Sequence, residues 1–122
     1  MNLREKALKL YQECGTDPNS HTLMPIRYFA DELESSYLSM VVAAVINAYI
    51  TEDFENDLVP FERERFYVPV NDNEGWEIAK GALKTCVELG ILEEVKTDSG
   101  HFVRLISDDF FDPELYKRNQ PQ

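Results

Sequence analysis

Apolar residues along this chain fall into helical stripes for most of its length and change to strand-like runs near its end. Leu3, Ala7, Leu10, Tyr11 and Cys14 recur at the spacing of one helix face and predict a first helix over residues 2–14. Asn2 and Glu5 stand at capping-box spacing before it, and Gly15 stops it. Pro25 suits the first turn of a second helix, Pro25–Glu34, with Ile26, Phe29, Ala30 and Leu33 facing inward. Ser35 or Ser36 then caps a third helix, Tyr37 to about Ile50, which is apolar almost all round, from Leu38 and Met40 through Val45 and Ile46 to Tyr49 and Ile50. A helix without a polar face is buried on several sides, so this one is expected to be the spine of the core. Its surplus apolar surface also suits a homodimer seam. Asn47 interrupts it and is expected to bond backbone or a partner side chain.

A fourth helix is predicted over residues 73–89. Asp72 or Asn73 caps it, Glu74 and Glu77 place negative charge in its first turn, and Trp76, Ala79, Ala82, Leu83, Cys86, Val87 and Leu89 form its buried stripe. Gly90 follows as the left-handed residue that ends it. Ile91, Leu92 and Val95 open a strand, Thr97-Asp98-Ser99-Gly100 is turn chemistry, and Phe102 to Ile106 returns as a second strand, so residues 91–106 make a β-hairpin. Trp76, Leu83, Val87, Phe29, Leu33, Val42 and Ile46 are expected to be buried together.

Between the third and fourth helices lies an acidic connection, Thr51 to Glu64. Glu52, Asp53, Glu55, Asp57, Glu62 and Glu64 are interleaved with Phe54, Leu58, Val59 and Phe61. The Asp53, Glu55, Asp57 spacing lacks the glycine and the closing glutamate of an EF-hand loop, so it is not a calcium site. Arg65 to Val70 is expected to be a short third strand; Pro69 cannot donate to a ladder and confines it to an edge. After residue 106 the chain is an acidic tail, in which Phe110, Phe111, Leu115 and Tyr116 can dock on the body. The expectation is one α+β domain over 1–122: helical support in 1–52, a helix-and-hairpin unit in 65–106, and the tail in 107–122.

The run ALKTCVELGILEEVKTDSGHFVRLI within residues 66–106 resembles the recognition helix and wing of the winged-helix superfamily, in which a helix ends in a Leu-Gly-Ile/Leu step and a hairpin follows. The resemblance implies a third strand pairing with the hairpin and a separate short helix before the recognition helix. Residues 70–75 leave barely a turn for that helix. It also implies, as a family-level expectation, DNA binding by the exposed face of the fourth helix, with Lys80, Lys84 and Thr85 reaching the duplex and Lys96, His101 and Arg104 on or near the wing. The second and third helices are not a helix-turn-helix, because a reading helix needs polar residues for base edges and Leu38–Ile50 has almost none.

Charge works against nucleic acid as the partner. Acidic residues outnumber basic ones 23 to 12, for a net charge of −11. DNA affinity rests largely on Lys and Arg neutralising phosphates, and here Glu77 and Glu88 stand where they can pair off Lys80 and Lys84. No Gly-rich phosphate loop, no nucleophile with a His partner and no metal-ligand spacing is present, so neither an enzyme nor a cofactor or metal is expected. Cys14 and Cys86 sit at apolar helix positions, as buried thiols do. With no apolar leader and no run long enough to span a bilayer, the expectation is a cytoplasmic protein with no membrane partner. The favoured function is a non-catalytic regulatory or adaptor protein. It would meet a basic partner, such as a nucleic-acid-processing protein, through Asp53, Phe54, Glu55, Asp57, Leu58 and Phe61. DNA-binding regulation of transcription or replication is the alternative.

Overall fold

The computed structural model describes residues 2–14 and 35–115. They form a mixed α+β fold of three helices and a three-stranded antiparallel sheet. The expected helix Pro25–Glu34, with the core candidates Phe29 and Leu33, lies outside the described residues, as does the polar loop containing His21.

Helix α1 (Leu3–Cys14) opens as its sequence predicts: the Glu5 amide donates to Asn2 Oδ1 at 2.8 Å, and Ala7 and Leu10 are buried. Helix α2 (Ser35–Thr51) is the spine. It packs against α1 and two elements introduced below, the fourth-helix segment and the last strand, and Leu38 and Val41–Ile46 are all buried. Most of the apolar surface of α2 is therefore covered by the chain itself, with Tyr37 left exposed. Asn47 turns its amide back to the Ala43 carbonyl, 2.7 Å away.

Helix α3 (Asn73–Glu88) starts at Asp72, whose Oδ1 accepts from the Gly75 amide at 2.8 Å. A Cβ at Gly75 would meet that carboxylate, so a larger residue there would need the Asp72 side chain to shift. Ala79, Ala82, Leu83 and Cys86 face the core. Trp76 and Val87, expected to be buried with the rest of the core, are half-buried and pack against it. At the other end Gly90 has φ +76, Gly90 N–H reaches Val87 O at 3.1 Å and Ile91 N–H reaches Cys86 O at 2.9 Å. This is the left-handed closure that the Leu-Gly-Ile step predicts.

Strands β2 (Leu92–Thr97) and β3 (Gly100–Leu105) pair from Leu92 with Leu105 to Thr97 with Gly100 across a two-residue turn. The third strand is not Arg65–Val70. It is β1 (Val59–Pro60), which pairs Val59 with Val103 and Pro60 with Phe102, giving the order β1-β3-β2. Val59 is buried against the hairpin, Pro60 tolerates the edge because it has no N–H to place, and Phe61 N–H extends the ladder to His101 O at 2.8 Å.

Residues 62–68 cannot continue as strand because they coil. Phe66 N–H reaches Glu62 O at 3.1 Å, Tyr67 N–H reaches Glu64 O at 3.3 Å and Val68 N–H reaches Arg63 O at 2.8 Å, with Tyr67 at φ +63. This is one α-turn closed by a left-handed residue, the same pattern that ends α3. Phe66 and Val68 are buried by it.

In the tail, Asp108–Phe111 and Pro113–Leu115 are short 3₁₀ turns against α1. Phe110 is fully buried, Phe111 packs on the core, and Lys6 Nζ lies 2.9 Å from Asp108 Oδ1. Tyr116 is outside the described residues. Among the described residues no helix is long and apolar enough to cross a membrane.

Candidate functional site

The acidic connection is a built turn. Asn56 and Asp57 both take positive φ, 57° and 60°, and Leu58 N–H closes back on Glu55 O at 3.2 Å. Two consecutive left-handed residues define a type I′ turn, and Asn and Asp are the side chains that tolerate it. Two side chains from elsewhere hold it. Tyr49, fully buried in the last turns of α2, donates its hydroxyl to Asp57 O at 2.7 Å and accepts from Leu105 N–H at 3.1 Å. Burial pushes that hydroxyl up to about 12, so it is a neutral donor at physiological pH. Arg104 donates from Nη1 to Asn56 O at 3.3 Å while its Nε and Nη2 hold Glu93 Oε2 at 3.1 and 2.5 Å. The hydrogen bond to Glu93 raises the Arg104 pKa further, which keeps the guanidinium charged.

This turn sorts the six residues expected to bind a partner. Asp53 and Glu55 are exposed and Asp57 and Leu58 are half-buried. Phe54 packs against the core with the Arg65 guanidinium 5.1 Å above its ring, and Arg65 Nη2 reaches Glu52 at 3.4 Å. Phe61 is buried, 5% exposed. Its ring stacks on Trp76 at 4.7 Å and meets Phe66 edge-on at 4.7 Å and His101 at 5.1 Å. Phe61 is a core residue and not a surface anchor, because aromatic partners from three later segments close over it. The carboxylates remain presented; the hydrophobic anchors are taken by the fold.

The residues expected to meet DNA do not form one surface. Along β3, Val103 and Leu105 face the core and Arg104 faces the other way, toward the acidic turn. On α3 the exposed positions are Asn73, Glu74, Glu77, Ile78, Lys80, Gly81, Lys84 and Glu88. Lys80 Nζ lies 2.6 Å from Glu77 Oε1, and Thr85 bonds its own helix at Gly81 O, 3.2 Å away. Among the described residues Lys84 forms no ion pair. Lys96 stands at the hairpin, 3.7 Å from Glu94, which also lies 2.6 Å from His101 Nε2, off-line for a hydrogen bond.

No cluster of His, Cys, Asp and Glu that could hold a metal ion occurs among the described residues. Cys86 is a free thiol pushed by burial up to about 12, which keeps it protonated and inert. Tyr49 and the Glu93–Arg104 pair were not singled out as parts of this site from sequence. The adjacent Asn56-Asp57 carries a turn signal that could have located it. Compared with known proteins, the chain matches no family model, no curated protein and no solved structure.

Proposed function

We propose that this chain is a non-catalytic, acidic interaction module on a winged-helix-like frame, acting in the cytoplasm through contact with a basic protein partner. The observation that carries this reading is the pinned acidic turn. A solvated loop needs no buried tyrosine and no arginine bridge to fix its backbone. Here both are present, and preorganisation of this kind lowers the ordering cost of binding. The strand order β1-β3-β2, with α3 running directly into the hairpin, supports the winged-helix part; the coil at 62–68 then stands where a separate short helix would be.

Carboxylates at Asp53, Glu55 and Asp57 act chiefly on encounter, through a field that salt screens. Replacing them together (Asp53→Asn, Glu55→Gln, Asp57→Asn) is expected to slow association with a captured basic partner, leave dissociation unchanged and leave the melting temperature within about 2 °C, since exposed charges contribute little to stability. Association rates measured against ionic strength test this. An association rate indifferent to the triple substitution would sink the reading. Phe54→Ala cannot serve as the companion test, because that ring supports the core.

The alternative, a DNA-binding regulator, is favoured by one observation: the unpaired Lys84 on the exposed face of α3, with the exposed Lys96 on the hairpin. Three glutamates share that α3 face with two lysines, and it offers no Arg or Gln for base edges. Duplex binding at low salt, weakened by Lys80→Ala with Lys84→Ala and with a salt slope flattened by about two units, would support it against our reading.

A further inference from the structure

Tyr67 holds a backbone conformation that its side chain disfavours, and that conformation sets its ring at the edge of a groove. The groove has a volume of 370 Å³ and lies between α1, the C-terminal half of α2 and the 62–68 coil. It is lined by Ala44, Ala48 and Ile50 together with the polar Asn47 and Thr51, and by Tyr11 and Tyr67, left 38% and 50% exposed. Small concave sites of this volume that combine apolar lining with a few polar groups are the usual receptors for a single side chain or small ligand.

Glu64 and Arg65 are the charged residues that line it, and two further carboxylates, Glu52 and Asp53, follow the lining residue Thr51 in the chain. Helix α2 ends here with no basic residue in its last turn, so its carbonyl dipole adds negative potential. Arg65 is the cation on the wall, and it is paired with Glu52.

We propose that this groove is the docking site for a short cationic segment of a protein partner, which seats one aromatic or aliphatic side chain between Tyr11 and Tyr67 and sets its basic residues against Glu52, Asp53 and Glu64. The inference rests on the reading of the chain as an acidic interaction module and adds the anchor that reading lacks, since Phe54 and Phe61 are held by the core. A second copy of the chain would bring the same carboxylates against themselves, and a nucleic acid would bring phosphates against them, so charge selects the cationic peptide. The left-handed Tyr67 fits this role: strain of this kind persists where a side chain is wanted for contact more than for the fold.

The test is an amide chemical-shift titration of the whole ¹⁵N-labelled chain with three synthetic hexapeptides: Phe-Leu flanked by two basic residues on each side, the same flanks around Ser-Ser, and Phe-Leu with acidic flanks. The basic Phe-Leu peptide is expected to give saturable shifts at Asn47, Ala48, Thr51, Glu64 and Tyr67. The Ser-Ser peptide should bind about tenfold more weakly, as loss of an anchor side chain requires, and the acidic one not at all. Tyr67→Gly should weaken binding about tenfold while the protein melts no lower than the parent, and Glu64→Lys should weaken it in a salt-dependent way. If the Ser-Ser peptide binds equally well, with shifts confined to residues 52–57, the groove is overturned and the acidic-module reading survives. Absence of saturable shifts with all three peptides overturns the groove. Shifts of the groove amides on diluting the protein alone assign it to a second copy, which also overturns the proposal.

Discussion

Helix α3 and the short coil at 62–68 end in the same hydrogen-bonded closure with opposite residues at its centre. In both, an amide two positions past the last turn reaches back five residues: Ile91 to Cys86 and Val68 to Arg63, at 2.9 and 2.8 Å. In both, the residue after the left-handed position is a buried hydrophobe that locks the reversal into the core. The left-handed residue itself is Gly90 in one and Tyr67 in the other, at φ +76 and +63. Glycine meets that geometry without steric cost, whereas an L side chain there costs roughly 1–2 kcal/mol. The first closure is optimised for the fold. The second carries a penalty that the buried Phe66 and Val68 offset, and what it gains is a tyrosine at the groove.

The largest expected effect comes from removing the lock that the two closures share. Ile91→Ala should cost about 2–5 kcal/mol, read as a drop in the denaturant midpoint, and Val68→Ala should cost less because fewer buried carbons are lost. An Ile91→Ala cost below that of Val68→Ala would show that the α3 closure is not the better anchored one. Next in size, Gly90→Ala should destabilise by about 1–2 kcal/mol through its positive φ alone, since a Cβ there meets nothing within 4 Å. Tyr67→Gly should act in the opposite direction, raising stability by up to about 1 kcal/mol. A clear loss instead would mean that the Tyr67 ring stabilises the fold, and the contrast between the two closures would collapse. The smallest effect is the control: Gly81, on the exposed face of α3, also faces open space but has no positive φ, so Gly81→Ala should raise the unfolding free energy by about 0.5–1 kcal/mol, read from denaturant melts.

The same contrast explains what could be read from the chain before its structure was known. Gly90 stands after a helical stripe and before a strand, so local pattern and closure agree, and α3, its Asp72 cap and the hairpin all follow from it. Tyr67 gives no such cue. Its neighbours Phe66, Val68 and Val70 look like alternation in a strand, and only the reach of Val68 N–H to Arg63 O shows the coil. Strand β1 was missed for the complementary reason. Two residues have no period, and Val59 pairs because Val103 is there, forty-four positions later. The acidic turn was legible as a place and not as a shape: its carboxylates are plain in the sequence, while the buried ends of Phe54 and Phe61 depend on Arg65, Trp76 and Phe66. Arg104 was assigned to the wing on position alone, and strand alternation sends it to the opposite face. Lys80 pairing with Glu77 was readable, because i, i+3 spacing on one helix needs no tertiary information.

The small sheet also bears on how this protein behaves when crowded with copies of itself. A row of free backbone groups along a sheet margin invites strand addition from a neighbouring molecule, the first step toward aggregation. One margin here is β1, only two residues long and closed by Pro60, which has no N–H to offer. The other is β2, which among the described strands pairs on one side alone, and it carries Glu93, Glu94 and Lys96 within six residues. A short proline-blocked margin and a charged one, in a chain of net charge −11, leave little for an intermolecular strand to join.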